Sequence, residues 1–239
     1  MLLKRLLTDD PTPHAGDTLD AFWPKHTAWV ESLELPIDRA IIGSLRADRV
    51  GFAFVAGYRA ALYALAPAVG RHELVALSAT EAGGNHPRAI HTKLENGRLS
   101  GRKRWTTLGG RAASVLVVAS VGQDDTGRNR LKVARVPVDR AGVRVVPMGD
   151  APFVPEIPHA ELYFDDVEVR DDELLPGDAL VRRSNGAGHV FLFLGWNDSA
   201  KSSMCVLEQA STALDMEYRS RPTASLKATG YRAIRSERL

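Results

Sequence analysis

The hydrophobic period of the chain changes at residue 74, and that change narrows the folds open to it. Before it, apolar residues recur at helical spacing in three sets: Leu19, Phe22, Trp23, Val30 and Leu33 with His26; Ile37, Ala40, Ile41 and Leu45; and Val50, Phe54, Tyr58, Leu62 and Leu65. After it, LVALSAT, the 97–107 segment, ASVLVVASV, RLKVARVPV, GVRVVPM and AELYFDDVEV read as short strands. Turn-formers separate them, GQDDTGRN at 122–129 as a hairpin loop and 139–142 as a turn. Short strands joined by turns build a barrel or sandwich rather than a parallel sheet.

The helical third has its own boundary signals. Residues 8–18 are turn-formers and read as a loop, with Asp17 or Thr18 as cap of the first helix and Pro24 in its first turns or at a kink. Pro36 opens the second helix, Asp48 begins the third, and Pro67 and Gly70 end it. In the tail, residues 183–203 mix turn-formers with one apolar patch. Met204, Val206, Leu207, Ala210, Ala213, Leu214 and Met216 fit one face of a helix, and the chain past Pro222 is polar and basic. The fold class expected is therefore α+β and multidomain. Residues 1–73 form an N-terminal helical bundle, 74–178 a middle antiparallel β-barrel, and 179–239 a short, atypical C-terminal segment with one residual helix.

Composition excludes several classes of function. The net charge of the 239 residues is only +2, with Lys and Arg scattered, which argues against nucleic acid as a partner. The start, MLLKRLL, is followed at 8–11 by Thr-Asp-Asp-Pro, too soon for a signal peptide, and no run approaches membrane-spanning length. The single cysteine, Cys205, cannot form an intrachain disulfide, which fits a reducing compartment, and with no signal peptide or membrane-length run the chain reads as soluble and cytoplasmic. His86 and His91 lack metal-ligand spacing, and no P-loop, Rossmann or G-x-S-x-G motif appears.

One stretch has the marks of a site: LSATEAGGNHPRAIHTKLENGRLSGRKRWTT at 77–107. Strand alternation puts Leu99, Gly101, Lys103, Trp105 and Thr107 on one face, and Ser100, Arg102, Arg104 and Thr106 on the other. The first face offers an aromatic plane, a hydroxyl and a glycine gap to a planar ligand. Gly83 and Gly84 read as a turn whose amides approach a ligand. Glu81 reads more readily as a turn-stabilising carboxylate than as a general base, and the Arg102–Arg104 run as a solvated strand face more readily than as a phosphate contact. The acidic pairs Asp124-Asp125, Asp165-Asp166 and Asp171-Asp172 read as turns and caps.

These residues resemble the middle β-domain of the acyl-CoA dehydrogenase family. The Thr-Glu turn TEAGGNHP at 80–87, the strand GRKRWTT at 101–107 and LYFDDVEVRDDELLPG at 162–177 carry the likeness, with ADRVGFAFVAGYRAALYAL at 47–65 similar to the preceding helix. Gly84-Asn85-His86-Pro87 stands where the family has Gly-Ser/Thr-Asp. The resemblance implies an FAD-dependent flavoprotein that desaturates an acyl-CoA thioester, with Thr80, Trp105 and Thr107 holding the flavin ring. A flavin-dependent monooxygenase on the same fold, or a catalytically incompetent remnant or interaction module, are the other readings. The family's catalytic glutamate lies in a C-terminal helical bundle whose motifs are not found here. The base is therefore unassigned, Glu208 and Glu217 having no motif around them, and the tail reads as a truncated or out-of-frame remainder of a longer gene. Homo-oligomer assembly is left open.

Overall fold

A computed structural model describes Thr8 and residues 18–235, except 67, 68, 71, 126, 152, 153, 176, 177, 185, 186, 209–216 and 230. It divides into two compact units, Met1–Leu175 and Pro176–Leu239.

In the first unit, α1 (Leu19–Val30), α2 (Pro36–Leu45) and α3 (Val50–Leu65) follow the three helical sets of the sequence. Thr18 caps α1, its hydroxyl accepting from Ala21 N at 3.3 Å, which satisfies one of the donors left over at a helix start. Two buried arginines close the other ends. Arg39 donates to the carbonyls of Val30 and Leu33, each at 3.0 Å. Arg59 donates to the carbonyls of Gly70 and Glu73, and burial pushes its guanidinium down to about 10 against the pull of Glu73. Phe22 and Phe52 stack at 4.6 Å between centroids, and Tyr58 accepts from Leu77 N at 2.6 Å, tying α3 to the first strand. Most of the 8–18 loop and Pro67 lie outside the described residues.

Seven strands follow: β1 (Val75–Ser78), β2 (Lys93–Glu95), β3 (Arg98–Thr107), β4 (Ser114–Gln123), β5 (Asn129–Pro137), β6 (Val143–Pro147) and β7 (His159–Glu168). They form an open half-barrel rather than a closed barrel, and the sheet is mixed rather than antiparallel throughout. β5 covers one edge of β4 along its length, so β1 and β2 share the other, both parallel to β4. From there the order runs through β3 and β7 to β6, all antiparallel. The sequence reading missed β2, whose signal is the turn that follows it. Asn96 and Gly97 both have positive φ (52° and 72°), the two-residue hairpin turn that Asn-Gly favours, and Glu95 pairs with Arg98 across it. Leu94, Leu99, Val115, Val117, Leu162 and Phe164 bury one face of the sheet against Phe22, Phe52 and Val55.

The second unit corrects the helical expectation for the tail. It is a five-stranded antiparallel sheet in the order β11–β10–β9–β8–β12, with β8 at Asp178–Ser184, β9 at Ala187–Trp196, β10 at Ser203–Glu208, β11 at Glu217–Pro222 and β12 at Arg232–Arg235. One short helix, α4 (Thr223–Ala228), interrupts it. Met204 and Val206 are buried two residues apart with Cys205 between them more open, which is a strand's period and not a helix's. Ala210, Ala213, Leu214 and Met216 lie outside the described residues.

Candidate functional site

β3 organises the site, and its geometry departs from simple alternation at two places. Leu99 faces Val167 and Gly101 faces Phe164, so β7 carries one residue more than β3 there; Asp166, with φ +49°, is beside it, and its N–H donates to Ser100 Oγ at 3.2 Å. Between Lys103 (opposite Leu162) and Thr106 (opposite Ala160) the extra residue is on β3. Trp105 sits in this second bulge at φ +53°, a conformation that costs a bulky residue about 1–3 kcal/mol and persists only where its surroundings enforce it.

The bulge changes which side chains share a face. Leu99, Lys103 and Thr106 turn inward and are fully buried, whereas Trp105 turns out and is 53% exposed, its indole edge-on to His159 at 6.1 Å. Trp105 therefore does not share a face with Lys103, as alternation alone expects. The glycine gap is also filled. A Cβ on Gly101 would lie 2.6 Å from Thr92 Cα, so that glycine admits the buried Thr92 and leaves no opening for a ligand.

The Thr-Glu turn is gripped by β3 at three successive residues. Lys103 Nζ donates to Ala79 O at 3.2 Å, Arg104 N to Thr80 O at 2.8 Å, and Lys103 Nζ to Glu81 Oε1 at 2.7 Å. Glu81 also accepts from His91 N at 2.8 Å and Thr92 N at 3.0 Å. Burial opposes its ionisation, but the bonds from Lys103 and the two amides outweigh it and hold its carboxyl below the usual range. Burial likewise pushes the Lys103 ammonium down, against the attraction of Glu81. Glu81 is thus a structural anion with its acceptor sites in use, not a poised base. Glu81 N and Gly84 O, and Gly84 N and Glu81 O, close a tight turn with Gly84 at φ +101°, so the Gly84 amide is committed within the loop.

Thr80 and Thr107 are tied to the strand residues next to Trp105. The Thr80 carbonyl is bonded to Arg104, and Thr107 pairs with His159 on β7, against whose ring the indole rests. Among the described residues neither threonine hydroxyl has a protein hydrogen-bond partner, and both residues are half-buried. Lys103, read in the sequence as part of a solvated face, is the buried member of the Arg102–Arg104 run. The signal was its place two and four residues from Gly101 and Leu99. Arg102 and Arg104 point outward to Glu161. Among the described residues no three His, Cys, Asp or Glu side chains converge as a metal needs, and no helix is long and apolar enough to cross a membrane.

With this geometry in place, comparison with known proteins bears out the resemblance. Residues 76–167 match the family model of the acyl-CoA dehydrogenase middle domain. The butyryl-CoA dehydrogenase of Megasphaera elsdenii matches 69% of this chain and 51% of its own, with TM-score 0.54 and 16% identity. The acyl-CoA dehydrogenase of Bacillus anthracis, complexed with FAD, matches 65% and 33%, with TM-score 0.52 and 18% identity. FMN-bound TdsC of Paenibacillus sp. A11-2 matches 65% and 46%, with TM-score 0.51 and 22% identity. At these identities the likeness is one of fold, and the chain spans a third to about half the length of these three. No curated protein matches the chain by sequence.

Proposed function

We propose that the acyl-CoA dehydrogenase-like middle domain at residues 76–167 binds the ring of a flavin, FAD in the first instance, and that the chain serves oxidoreduction of an acyl-CoA thioester. The observation that carries the reading is the Trp105 bulge. A strained, exposed indole follows Arg104, which holds the Thr80 carbonyl, and precedes Thr107 by two residues; among the described residues neither threonine hydroxyl has a protein partner, an arrangement with no evident structural role and a good match to a planar heteroaromatic ligand. Trp105 supplies a stacking or edge surface, and the hydroxyls of Thr80 and Thr107 supply hydrogen bonds to the ring's polar rim. FAD, when bound, supplies the hydride acceptor for desaturation next to the thioester carbonyl. The protein's part is to hold that ring with the turn at 79–84, which the Lys103–Glu81 pair fixes to β3. The FAD-complexed acyl-CoA dehydrogenase of Bacillus anthracis and FMN-bound TdsC, similar in fold, support flavin as the ligand class.

A second reading has its own support. The resemblance calls for a C-terminal helical bundle carrying the base, whereas the described strands β8 to β12 of the second unit form a sheet. The chain then binds flavin without supplying a base of its own. The two readings share a first test and part at a second. Titrating FAD and riboflavin into the protein and into Trp105→Ala and Thr107→Ala, with binding read from flavin fluorescence, is expected to show affinity that falls tenfold or more in Trp105→Ala. Equal affinity in the variant refutes the ring platform. Anaerobic bleaching of bound flavin by butyryl-CoA supports dehydrogenation, and bound flavin that stays oxidised supports the binding-only reading.

A further inference from the structure

Two guanidiniums share one aromatic ring on the outward face of the sheet. Tyr163 on β7 lies between Arg102 of β3 and Arg144 of β6 in the strand register. Arg144 Cζ is 3.8 Å from the ring centroid and Arg102 Cζ 4.9 Å. One step along β7, Glu161 accepts from Arg102 Nη2 at 2.5 Å, Arg104 Nε at 2.7 Å and the Tyr163 hydroxyl at 2.9 Å. Two cations therefore share the Glu161 carboxylate and a third lies over the Tyr163 ring, leaving two positive charges over.

Glu161 is spent on what it already holds. Its side chain is 12% exposed and has three donors, so it has little capacity left for Arg144. Among the described residues Arg144 has no carboxylate in ion-pair range, and its described partner is the ring alone. Arg102 and Arg104 keep 52% and 38% of their side chains exposed, so part of each guanidinium still faces solvent. A cation over an exposed ring gains little, which offsets poorly the repulsion of two guanidiniums on the same ring. An oxyanion at the rim of the ring offsets that repulsion and engages the exposed N–H donors of the guanidiniums.

We propose that Arg102, Arg104 and Arg144, arrayed around Tyr163, form a binding site for a phosphate group. Charge selects phosphate over a carboxylate: a carboxylate brings one negative charge, whereas a terminal phosphate brings close to the two that the cluster has in surplus. Geometry agrees, because guanidinium forks bind phosphate oxygens two at a time. The site lies on the strand that carries Trp105 but uses neither Trp105 nor the threonines, so it stands or falls apart from the ring platform. FMN and coenzyme A each carry a terminal phosphate of this kind, whereas the two phosphates of FAD are diesters that bring one charge each.

Calorimetric titration of inorganic pyrophosphate into the full chain, at ionic strength held constant with sodium chloride, tests the site. Saturable binding is expected, at least tenfold weaker in Arg144→Gln and lost in Arg102→Gln/Arg144→Gln, with far-UV circular dichroism unchanged. Binding as tight in Arg144→Gln as in the unaltered protein, or no saturable binding by a folded chain, overturns the proposal. FMN binding weakened by Arg144→Gln with riboflavin binding unchanged assigns the phosphate to flavin, and weakened binding of adenosine 3′,5′-bisphosphate assigns it to coenzyme A. Riboflavin carries no phosphate, so its binding reads the Trp105 platform alone and separates failure of one reading from failure of the other.

Discussion

Replacing Lys103 with methionine removes one member of a buried ion pair and strands the other. Methionine roughly preserves the volume of the lysine stem, so the expected cost is electrostatic rather than steric. Glu81 keeps its amide donors at 2.8 and 3.0 Å and loses the ammonium at 2.7 Å. Deleting one partner of a buried pair costs about 3–5 kcal/mol. At roughly 2–4 °C per kcal/mol for a chain of this size, melting falls by about 6–20 °C. The carboxyl can limit the loss by taking up a proton, and that changes the sign of the pH dependence. In the unaltered protein the folded pKa of Glu81 is depressed, so its contribution is complete above about pH 4.3 and is lost as pH falls through the folded pKa. In Lys103→Met the folded pKa rises above the unfolded one. The folded state then holds the extra proton, and stability falls as pH rises, by up to about 1.4 kcal/mol per unit between the two pKa values. Adding Glu81→Gln removes the charge but keeps an acceptor for only one of His91 N and Thr92 N, which bond different carboxylate oxygens, so the double variant is expected to lose the inverted slope and to recover only part of the loss. Urea unfolding followed by tryptophan fluorescence between pH 4.5 and 8 measures all three proteins. A Lys103→Met protein within about 1 kcal/mol of the unaltered one at pH 7, with no change of slope, refutes the reasoning.

Trp105→Gly relieves the positive φ and is expected to change stability by no more than about 1 kcal/mol while flavin affinity falls tenfold or more; a large loss of stability would make the indole structural. Gly101→Ala drives a Cβ to 2.6 Å from Thr92 Cα and is expected to cost about 2–3 kcal/mol in urea unfolding, and a neutral result would mean that β3 and Thr92 separate easily. Acid should destabilise the first unit by a route its carboxylates set. Arg140 holds the Glu173 carboxyl down through bonds at 2.7 and 2.6 Å, and Glu81 is held down as described, so stability should be level above pH 5 and fall below about pH 4.3 as both take up protons. Glu173→Gln should flatten part of that fall in a melting series from pH 3 to 6.

The middle strands were legible because each is a run of β-branched or alternating residues bounded by turn-formers, and the helices because their apolar sets keep one spacing over several turns. β2 was missed because three residues, Lys-Leu-Glu, carry no period, although Asn96-Gly97 announced its hairpin. The tail was misread because Met204, Val206 and Leu207 satisfy a helix and a strand equally over so short a run, and only pairing with β9 and β11 decides between them. At the site, the types and spacing of Thr80, Trp105 and Thr107 were readable. The face Trp105 occupies was not, because a bulge depends on the count of residues in the partner strand. Lys103 was hidden by its charged neighbours: alternation from Leu99 placed it on the inward face, but the partner that makes a buried lysine tolerable, Glu81, lies 22 residues away in sequence.

An absorption spectrum of the purified protein, before and after incubation with FAD and gel filtration, tests the flavin-binding reading most directly. Flavin bands retained at close to one per chain are the expected result, with the bands lost from Trp105→Ala. A folded protein that stays colourless after FAD and gel filtration contradicts the account and leaves the Trp105 bulge without a ligand.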